Sequence, residues 1–194
     1  KRNGNVFITI PSGYEAVYAY KKLGYTVQEG KKYVYSFKLN TATKGKYTSF
    51  LFGEYPSNTA SDKMLNNFAV VGGAFSNNGD TQYSDVRMGV GRVQVRTSDV
   101  LGSNQDIDLY LETIGGKKYS YYRIDIDGLQ CTLKTKNSSG TWEQIGGTYS
   151  LPSGTQLIMG CAAWEANTSR AMSVASPICV DITELSQNIS KANA

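Results

Sequence analysis

The sequence predicts an all-β protein, built as a two-sheet antiparallel β-sandwich with a short C-terminal helical tail. Apolar and polar residues alternate along about ten to twelve short runs, separated by turn-forming residues at the spacing of a sandwich. No long amphipathic helix interrupts these runs, which excludes βαβ units. The 194 residues include 14 Tyr but only 6 Phe, beside 20 Gly. Tyrosine suits half-exposed sheet surfaces, because its apolar ring ends in a polar hydroxyl.

The clearest element is a β-hairpin over residues 119–135. Asp127 and Gly128 are predicted to be the two central residues of a type I′ turn. The strand before the turn alternates between an apolar and a polar set, and so does the strand after it. The apolar set is Tyr122, Ile124, Ile126, Leu129, Cys131 and Leu133, and the polar set is Tyr121, Arg123, Asp125, Gln130, Thr132 and Lys134.

The remaining strands follow from the same alternation. Before the hairpin they are predicted over residues 5–10, 32–40, 47–53, 68–75, 85–96 and 106–112, and residues 16–23 fit either a strand or a short helix. After the hairpin they are predicted over residues 141–145, 156–163 and 178–183. Residues 1–184 are therefore expected to form a single β-sandwich domain.

The last residues change character. Leu185, Ile189 and Ala192 recur at helical or coiled-coil spacing. Residues 185–194 are predicted to be a tail or linker, either helical or frayed. A helical tail would allow the protein to oligomerise through it.

Composition excludes several classes of function. The sequence contains no histidine, so it has no Ser-His-Asp or Cys-His triad and no histidine metal ligand. Its net charge of +4 comes from scattered lysines without a basic stripe, so we expect no nucleic-acid partner. No apolar run approaches the ~20 residues of a membrane helix, so we expect no membrane insertion. The chain begins at Lys1 without an apolar leader, which indicates part of a larger multidomain protein.

Three cysteines, Cys131, Cys161 and Cys179, lie in apolar runs. An odd number leaves at least one of them unpaired within the chain. Buried thiols that pack as small apolar groups are favoured over one disulfide with a free thiol.

The order of segments resembles a known family. The C-terminal half runs through YSYYRIDIDGLQCTLKT (119–135), SSGTWEQI (138–145), LIMGCAAW (157–164) and ICVDITEL (178–185), and VQEGKKYVYSFKLNT (27–41) precedes it. This order resembles the concanavalin-A-like jelly roll of laminin-G-type and carbohydrate-binding domains. The resemblance implies a jelly-roll fold and lectin-like glycan binding. The tail NISKANA (188–194) also resembles connectors of modules inserted in phage tail and baseplate proteins.

One candidate carbohydrate site follows the run that ends at Trp164. Trp164, Glu165, Asn167 and Arg170 place an aromatic ring, an acid, an amide and a guanidinium within seven residues. Sugar rings pack their C–H faces on aromatic rings, and their hydroxyls bond to such polar groups. The alternative is that Trp164 caps one end of the core while its neighbours are solvated.

The second candidate site is the polar face of the hairpin. Tyr121, Arg123 and Asp125 share that face and could form a platform with Arg87. The alternative is that they make cross-strand ion pairs on a solvated face. Tyr83, in the polar loop SNNGDTQYS, is a further candidate. Trp142 matches the structural tryptophan of the laminin-G pattern, and this resemblance implies a packing role.

Three carboxylates provide the only case for catalysis. Asp106, Asp108 and Glu112 alternate along one strand, as in jelly-roll glycoside hydrolases. Asp108 and Glu112 would be ~13 Å apart along a strand, too far for either hydrolytic geometry, whereas Asp106 and Asp108 are close enough. The alternative is that these carboxylates lie on the solvated face of an edge strand.

The loop of residues 76–84 is a candidate site for a structural calcium ion, which prefers oxygen ligands. These ligands would come from Asn77, Asn78 and Asp80.

The sequence thus favours a non-catalytic carbohydrate-binding module. Its expected partner is a polysaccharide or a cell-surface glycan, and its expected location is extracellular or at the cell surface. The alternatives are a phage-tail or adhesin domain, which would place it on a virion tail, and a jelly-roll glycoside hydrolase that uses Asp106 and Asp108.

Overall fold

The structure is a computed structural model that describes residues 5–9, 16–40, 48–56, 68–75, 86–95, 105–113, 119–164 and 171–193. Its strands are β1 Asn5–Thr9, β2 Ala16–Thr26, β3 Lys32–Asn40, β4 Thr48–Glu54, β5 Phe68–Phe75, β6 Val86–Val95, β7 Gln105–Thr113, β8 Tyr119–Asp127, β9 Gln130–Lys136, β10 Trp142–Ser150, β11 Gln156–Trp164 and β12 Ala171–Asp181. They form two six-stranded antiparallel sheets, with strand orders β1-β12-β3-β8-β9-β10 (sheet A) and β2-β11-β4-β5-β6-β7 (sheet B). The predicted all-β sandwich is confirmed, and the ambiguous residues 16–23 form a strand.

The central hairpin is also confirmed, but its turn lies one residue later than predicted. Asp127 pairs with Gln130, so the turn consists of Gly128 and Leu129. Gly128 has φ 58°, whereas Leu129 is not in the left-handed region. A glycine at the first central position followed by a residue of negative φ fits a type II′ turn. The predicted type I′ turn at Asp127-Gly128 is therefore wrong, because only one of its residues adopts a positive φ.

The core lies between the two sheets and is rich in aromatic rings. From sheet A, Tyr35, Phe37 and Tyr122 are fully or almost fully buried, and sheet B contributes Phe50 and Phe52. The rings of Phe37 and Phe50 stack across the sandwich with centroids 4.4 Å apart. Because strand side chains alternate in direction, each buried ring of sheet A has neighbours along its strand on the outer face.

One buried hydroxyl connects the two sheets. Tyr35 in β3 directs its hydroxyl at the carbonyl oxygens of Phe52 in β4 and Ile158 in β11, at 2.9 and 2.8 Å. Both carbonyls lie where the pairing register of sheet B shifts, so the regular ladder is interrupted there. Burial raises the pKa of Tyr35 well above its usual value. The hydroxyl is therefore a neutral donor inside the core.

All three cysteines are free, as the buried-thiol interpretation predicted. Cys131 and Cys161 are buried, and Cys179 is half-buried. Burial raises the pKa of Cys161 to about 12. These thiols are therefore protonated at neutral pH and pack as small apolar groups.

The predicted C-terminal helix is confirmed as α1, Thr183–Ala192, two residues earlier than expected. Thr183 fixes its start: its Oγ1 accepts a hydrogen bond from the Lys32 amide at 2.9 Å, and its own amide donates to Asp181 Oδ1 at 2.9 Å. Hydrogen bonds from Thr183, first from its side chain and then from its backbone, hold the pKa of Asp181 below its usual value. Within the described ranges, no helix has the length and apolar character needed to cross a membrane.

We expect Tyr35→Phe to lower the free energy of unfolding by about 1–3 kcal/mol, because two buried carbonyls lose a donor while the ring still fills its space. Urea unfolding followed by tryptophan fluorescence measures the change. Tyr33→Phe is the matched control, since the Tyr33 hydroxyl donates to a single, partly buried carbonyl of Thr26 at 3.0 Å. The Tyr33 bond also joins the two sheets, from β3 to β2. Equal losses in the two variants would therefore contradict a greater contribution from the buried Tyr35 hydroxyl with its two acceptors.

Candidate functional site

Lysines alternate with aromatic rings across the outer face of sheet A. Lys38 on β3 is the register partner of Tyr121 on β8, and Lys136 on β9 is the partner of Trp142 on β10. Lys38 Nζ lies 5.1 Å from the centroid of the Tyr121 ring. Lys136 Nζ lies 5.8 Å from the Tyr121 centroid and 5.1 Å from the Trp142 centroid. We call these four residues, on four adjacent strands, the cation–aromatic row.

Strand alternation places the row on the surface. Tyr122 points into the core and is fully buried, whereas its neighbour Tyr121 is 52% exposed. Lys136 is exposed, and Lys38 and Trp142 are half-buried. Each side chain of the row is therefore at least partly in contact with solvent.

A second group of charges lies beside the row. Asp125 on β8 contacts Arg123 Nε through Oδ1, and its Oδ2 lies 2.6 Å from Lys134 Nζ on β9. Arg123 and Lys134 are direct register partners, so Asp125 offsets the repulsion between two facing cations. The ion-pair alternative for this face is therefore confirmed. Both oxygens of Asp125 are engaged by these cations, so Asp125 positions and neutralises charged groups on this face.

The turn between β9 and β10 fixes the position of Trp142. Asn137 Oδ1 accepts hydrogen bonds from the amides of Ser139 and Thr141, at 3.0 and 2.9 Å. Asn137 Nδ2 donates to Glu143 Oε1 at 2.6 Å. An asparagine that bonds the backbone of its own turn orders it without help from the core. The backbone that carries the Trp142 indole onto the outer face is therefore held in a defined position.

The structure separates some of the residues predicted for the site. Arg87 lies on β6 of sheet B, whereas Tyr121, Arg123 and Asp125 lie on the outer face of sheet A. Arg87 thus lies in a different sheet from these three residues, and their predicted platform stays a prediction. Trp164 ends β11 in sheet B, opposite Ala16. Glu165, Asn167, Arg170, Tyr83 and the calcium candidates Asn77, Asn78 and Asp80 lie outside the described residues.

The carboxylates considered for catalysis lie on β7, which is the edge strand of sheet B. Asp106 is the register partner of Gln94, and Asp108 is the partner of Arg92. Catalysis by Asp106 and Asp108 stays an untested alternative to the predicted non-catalytic module. In the part of the chain that the structure describes, no three Cys, Asp or Glu residues lie together so that they could hold a metal ion.

Trp142 and the two lysines of the row were missed by sequence reasoning. Trp142 was assigned to packing from the laminin-G resemblance, but its ring is half-buried on the outer face and is not a core residue. Alternation along β9 does place Lys134 and Lys136 on the polar face of the hairpin. The position of the turn decides whether Lys134 or Lys136 lies beside Tyr121. The predicted turn, one residue too early, would place Lys134 there.

A cavity of about 580 Å³ opens between the sheets, beside the bulge of β12. It is lined mainly by apolar groups, which include Phe50, Met159, Val174 and Pro177, with Lys21 at its wall. Ser176, also in the wall, has φ 48°, a left-handed conformation that is uncommon for a residue with a side chain. Most of the lining can neither donate nor accept a hydrogen bond.

No protein-family model matches the sequence, and no curated protein matches it. Solved structures do share its fold. A legume lectin-like domain from Entamoeba histolytica matches with a TM-score of 0.50 and 11% identity, over 91% of this chain and 84% of that one. The seed lectin of Lotus tetragonolobus matches with a TM-score of 0.49 and 12% identity, over 93% and 95% of the two chains. The exoplasmic/lumenal domain of VIP36 matches with a TM-score of 0.48 and 10% identity, over 93% and 84%.

The match with a TM-score of 0.50 supports the fold predicted from the order of segments. The chain has the concanavalin-A-like jelly-roll fold. At such low identity the likeness concerns the fold alone, and the chemistry of the site has to be argued from its own residues.

We expect Asp125→Asn to lower the free energy of unfolding by about 1 kcal/mol at low salt, because Arg123 and Lys134 would face each other without a carboxylate between them. The loss should shrink in high salt, which screens the repulsion. Urea unfolding at two salt concentrations measures both effects. Asp127→Asn, on the same strand and paired with the half-exposed Lys32, is the control and should change little. A loss that is independent of salt would contradict the electrostatic explanation.

Proposed function

We propose that the protein is a non-catalytic carbohydrate-binding module that recognises a polysaccharide or a cell-surface glycan outside the cell. The outer face of sheet A is the binding surface in this proposal, and the cation–aromatic row is its centre.

The single observation that carries the proposal is the row itself, with two surface aromatic rings interleaved with two ammonium groups. A sugar presents C–H groups on the faces of its ring and hydroxyls around its rim. Exposed parts of Tyr121 and Trp142 can pack against the C–H groups. The Tyr121 hydroxyl and the neighbouring ammonium groups supply hydrogen bonds to the rim.

The breadth of the surface also suits an extended ligand. Adjacent strands lie 4.7–4.9 Å apart, so the two rings of the row, on β8 and β10, are about 10 Å apart. That separation is comparable to the length of a disaccharide. A glycan chain that runs across the strands would therefore meet both rings.

The cavity beside β12 fits a sugar less well. A buried sugar hydroxyl without a partner costs about 1–3 kcal/mol, and the apolar lining of the cavity offers few partners. The lectin-like fold supports the proposal only as an analogy, since the same fold can host unrelated functions.

The test is retention on polysaccharide affinity gels and on a glycan array. We expect Trp142→Ala and Tyr121→Ala each to weaken binding by about tenfold or more, as loss of a central aromatic contact commonly does. Ile178→Ala removes another exposed apolar side chain from the outer face of sheet A, on β12, and serves as the matched control that should bind normally. If the protein is retained on no plant, host or bacterial-wall glycan, the proposed function is wrong.

One observation favours a second candidate function. The protein would then be a structural or receptor-binding module of an assembly such as a phage tail or an adhesin. Leu185 and Ile189, one turn apart on α1, are 60% and 54% exposed. Such apolar pairs on a helix face commonly pack against another helix.

For this candidate we expect self-association through α1, measured by analytical ultracentrifugation across a range of protein concentrations. Leu185→Glu combined with Ile189→Glu should then give a monomer with unchanged thermal stability, because both side chains are exposed. A chain that is monomeric at every concentration would argue against assembly through the helix.

A further inference from the structure

We infer that the cavity beside the bulge of β12 is a binding site for a medium-chain fatty acid. The alkyl chain lies between the two sheets in this arrangement, and the carboxylate lies at the mouth of the cavity beside the Lys21 ammonium group. The inference goes beyond the proposed function, since the cavity lies between the sheets and the cation–aromatic row lies on the outer face of sheet A.

The cavity exists because small side chains meet at one edge of the sandwich. Ala19 on β2 and Cys161 on β11 are register partners in sheet B, and both line the cavity. Val174 on β12 lines it from sheet A. Deeper in the core, the rings of Phe37 and Phe50 fill the space between the sheets, with centroids 4.4 Å apart. The smaller side chains at the edge leave a gap between sheets that are about 10 Å apart.

The lining changes from apolar and buried at the floor to polar and exposed at the mouth. Phe50, Cys161 and Val174 are almost fully buried and form the floor. Lys21 and Ser176 also line the cavity but are exposed, so they mark its mouth. A ligand that matches both ends has an apolar body and a polar head group.

The charge of Lys21 selects an anionic head group. Alternation along β2 places Lys21 on the same face as Ala19, towards the cavity. Lys22 lies on the opposite face, where its Nζ is 2.9 Å from Glu54 Oε2, and the Tyr20 hydroxyl donates to the same carboxylate at 3.1 Å. Among the described residues, no carboxylate lines the cavity or pairs with Lys21. A single ammonium group at the mouth matches a single carboxylate of the ligand.

The volume of the cavity sets the length of the alkyl chain. The cavity holds about 580 Å³, within the range of about 300–1,000 Å³ that is typical of small-molecule sites. A methylene group is similar in size to a water molecule, which takes up about 30 Å³ in the liquid, so a chain of about ten to fourteen carbons fits.

The chain and the head group contribute differently to binding. Each methylene group that moves from water into an apolar site tightens binding by about fourfold. An ion pair at an exposed mouth contributes at most about fivefold, because water screens it. The alkyl chain therefore determines the affinity, and Lys21 determines the preference among head groups.

The first experiment measures the affinity of hexanoate, decanoate and dodecanoate by isothermal titration calorimetry, below the concentration at which each acid forms micelles. We expect the affinity to rise along this series, with a gain of about tenfold or more between hexanoate and decanoate. The heat-capacity change of dodecanoate binding should be negative, because apolar surface is buried.

The second experiment tests the head group by comparing dodecanoate with dodecylamine, which has the same chain and a positive charge at neutral pH. We expect the parent protein to prefer dodecanoate by about fivefold or more and Lys21→Glu to prefer dodecylamine. Lys191→Glu, which makes the same charge change at an exposed position on α1, is the matched control and should keep the preference for dodecanoate within about twofold.

The third experiment fills the cavity. Ala19 is exposed, so Ala19→Phe should leave the protein folded while its ring occupies the space of the alkyl chain. We expect this variant to weaken dodecanoate binding by about tenfold or more. Thr148→Phe places the same ring at an exposed position on β10, away from the cavity, and should bind normally. Thermal melts show that all variants are folded.

Each contrary result overturns a named part of the inference. Saturable binding of no acid in the series would overturn it entirely. A preference for dodecanoate that Lys21→Glu does not change would overturn the assigned head group, and normal dodecanoate binding by folded Ala19→Phe would overturn the assigned cavity. Trp142→Ala should bind dodecanoate normally, because Trp142 does not line the cavity. Failure of glycan binding is therefore distinguishable from failure of this inference.

Discussion

The hydroxyl of Tyr35 sets the relation between the two sheets. It is buried, neutral and shared between carbonyls of two neighbouring strands of sheet B, at the points where their register shifts. A buried donor in such a position is satisfied in only one alignment of the sheets, so it contributes specificity as well as stability. β3 carries this hydroxyl on its inner face and Lys38 on its outer face. The strand that fixes the core therefore also carries the first cation of the row.

The strands were predictable because side-chain alternation is a local property of the sequence, and a buried face requires it. The hairpin turn was harder, since Gly128 is central to both possible turns and they differ only in whether Asp127 or Leu129 is the other central residue. The two turns pair β8 with β9 in registers that differ by two residues. The predicted turn would have placed Tyr121 opposite Lys134, whereas the observed turn places Tyr121 beside Lys136. A small error in the turn thus concealed the arrangement of the row.

The candidate site was predictable only in part, because it draws on four strands. Tyr121, Arg123 and Asp125 lie within one strand, and their shared face followed from alternation. Lys38 comes from β3, which is far from β8 in sequence and adjacent to it in sheet A. No local pattern reports such a pairing, which depends on the topology of the whole sandwich. Trp142 was assigned by resemblance, and the resemblance concerned the fold and not the exposure of this ring.

The constraint on such a surface is repulsion among its own cations, since like charges opposite each other on a sheet are destabilising. The structure meets it in two ways. Asp125 separates Arg123 from Lys134, and the Tyr121 ring separates Lys38 from Lys136 while attracting both. A carboxylate neutralises charge, whereas an aromatic ring holds an ammonium group and leaves its charge intact. The ion pairs therefore neutralise charge on this face, and the aromatic rings order the ammonium groups beside them.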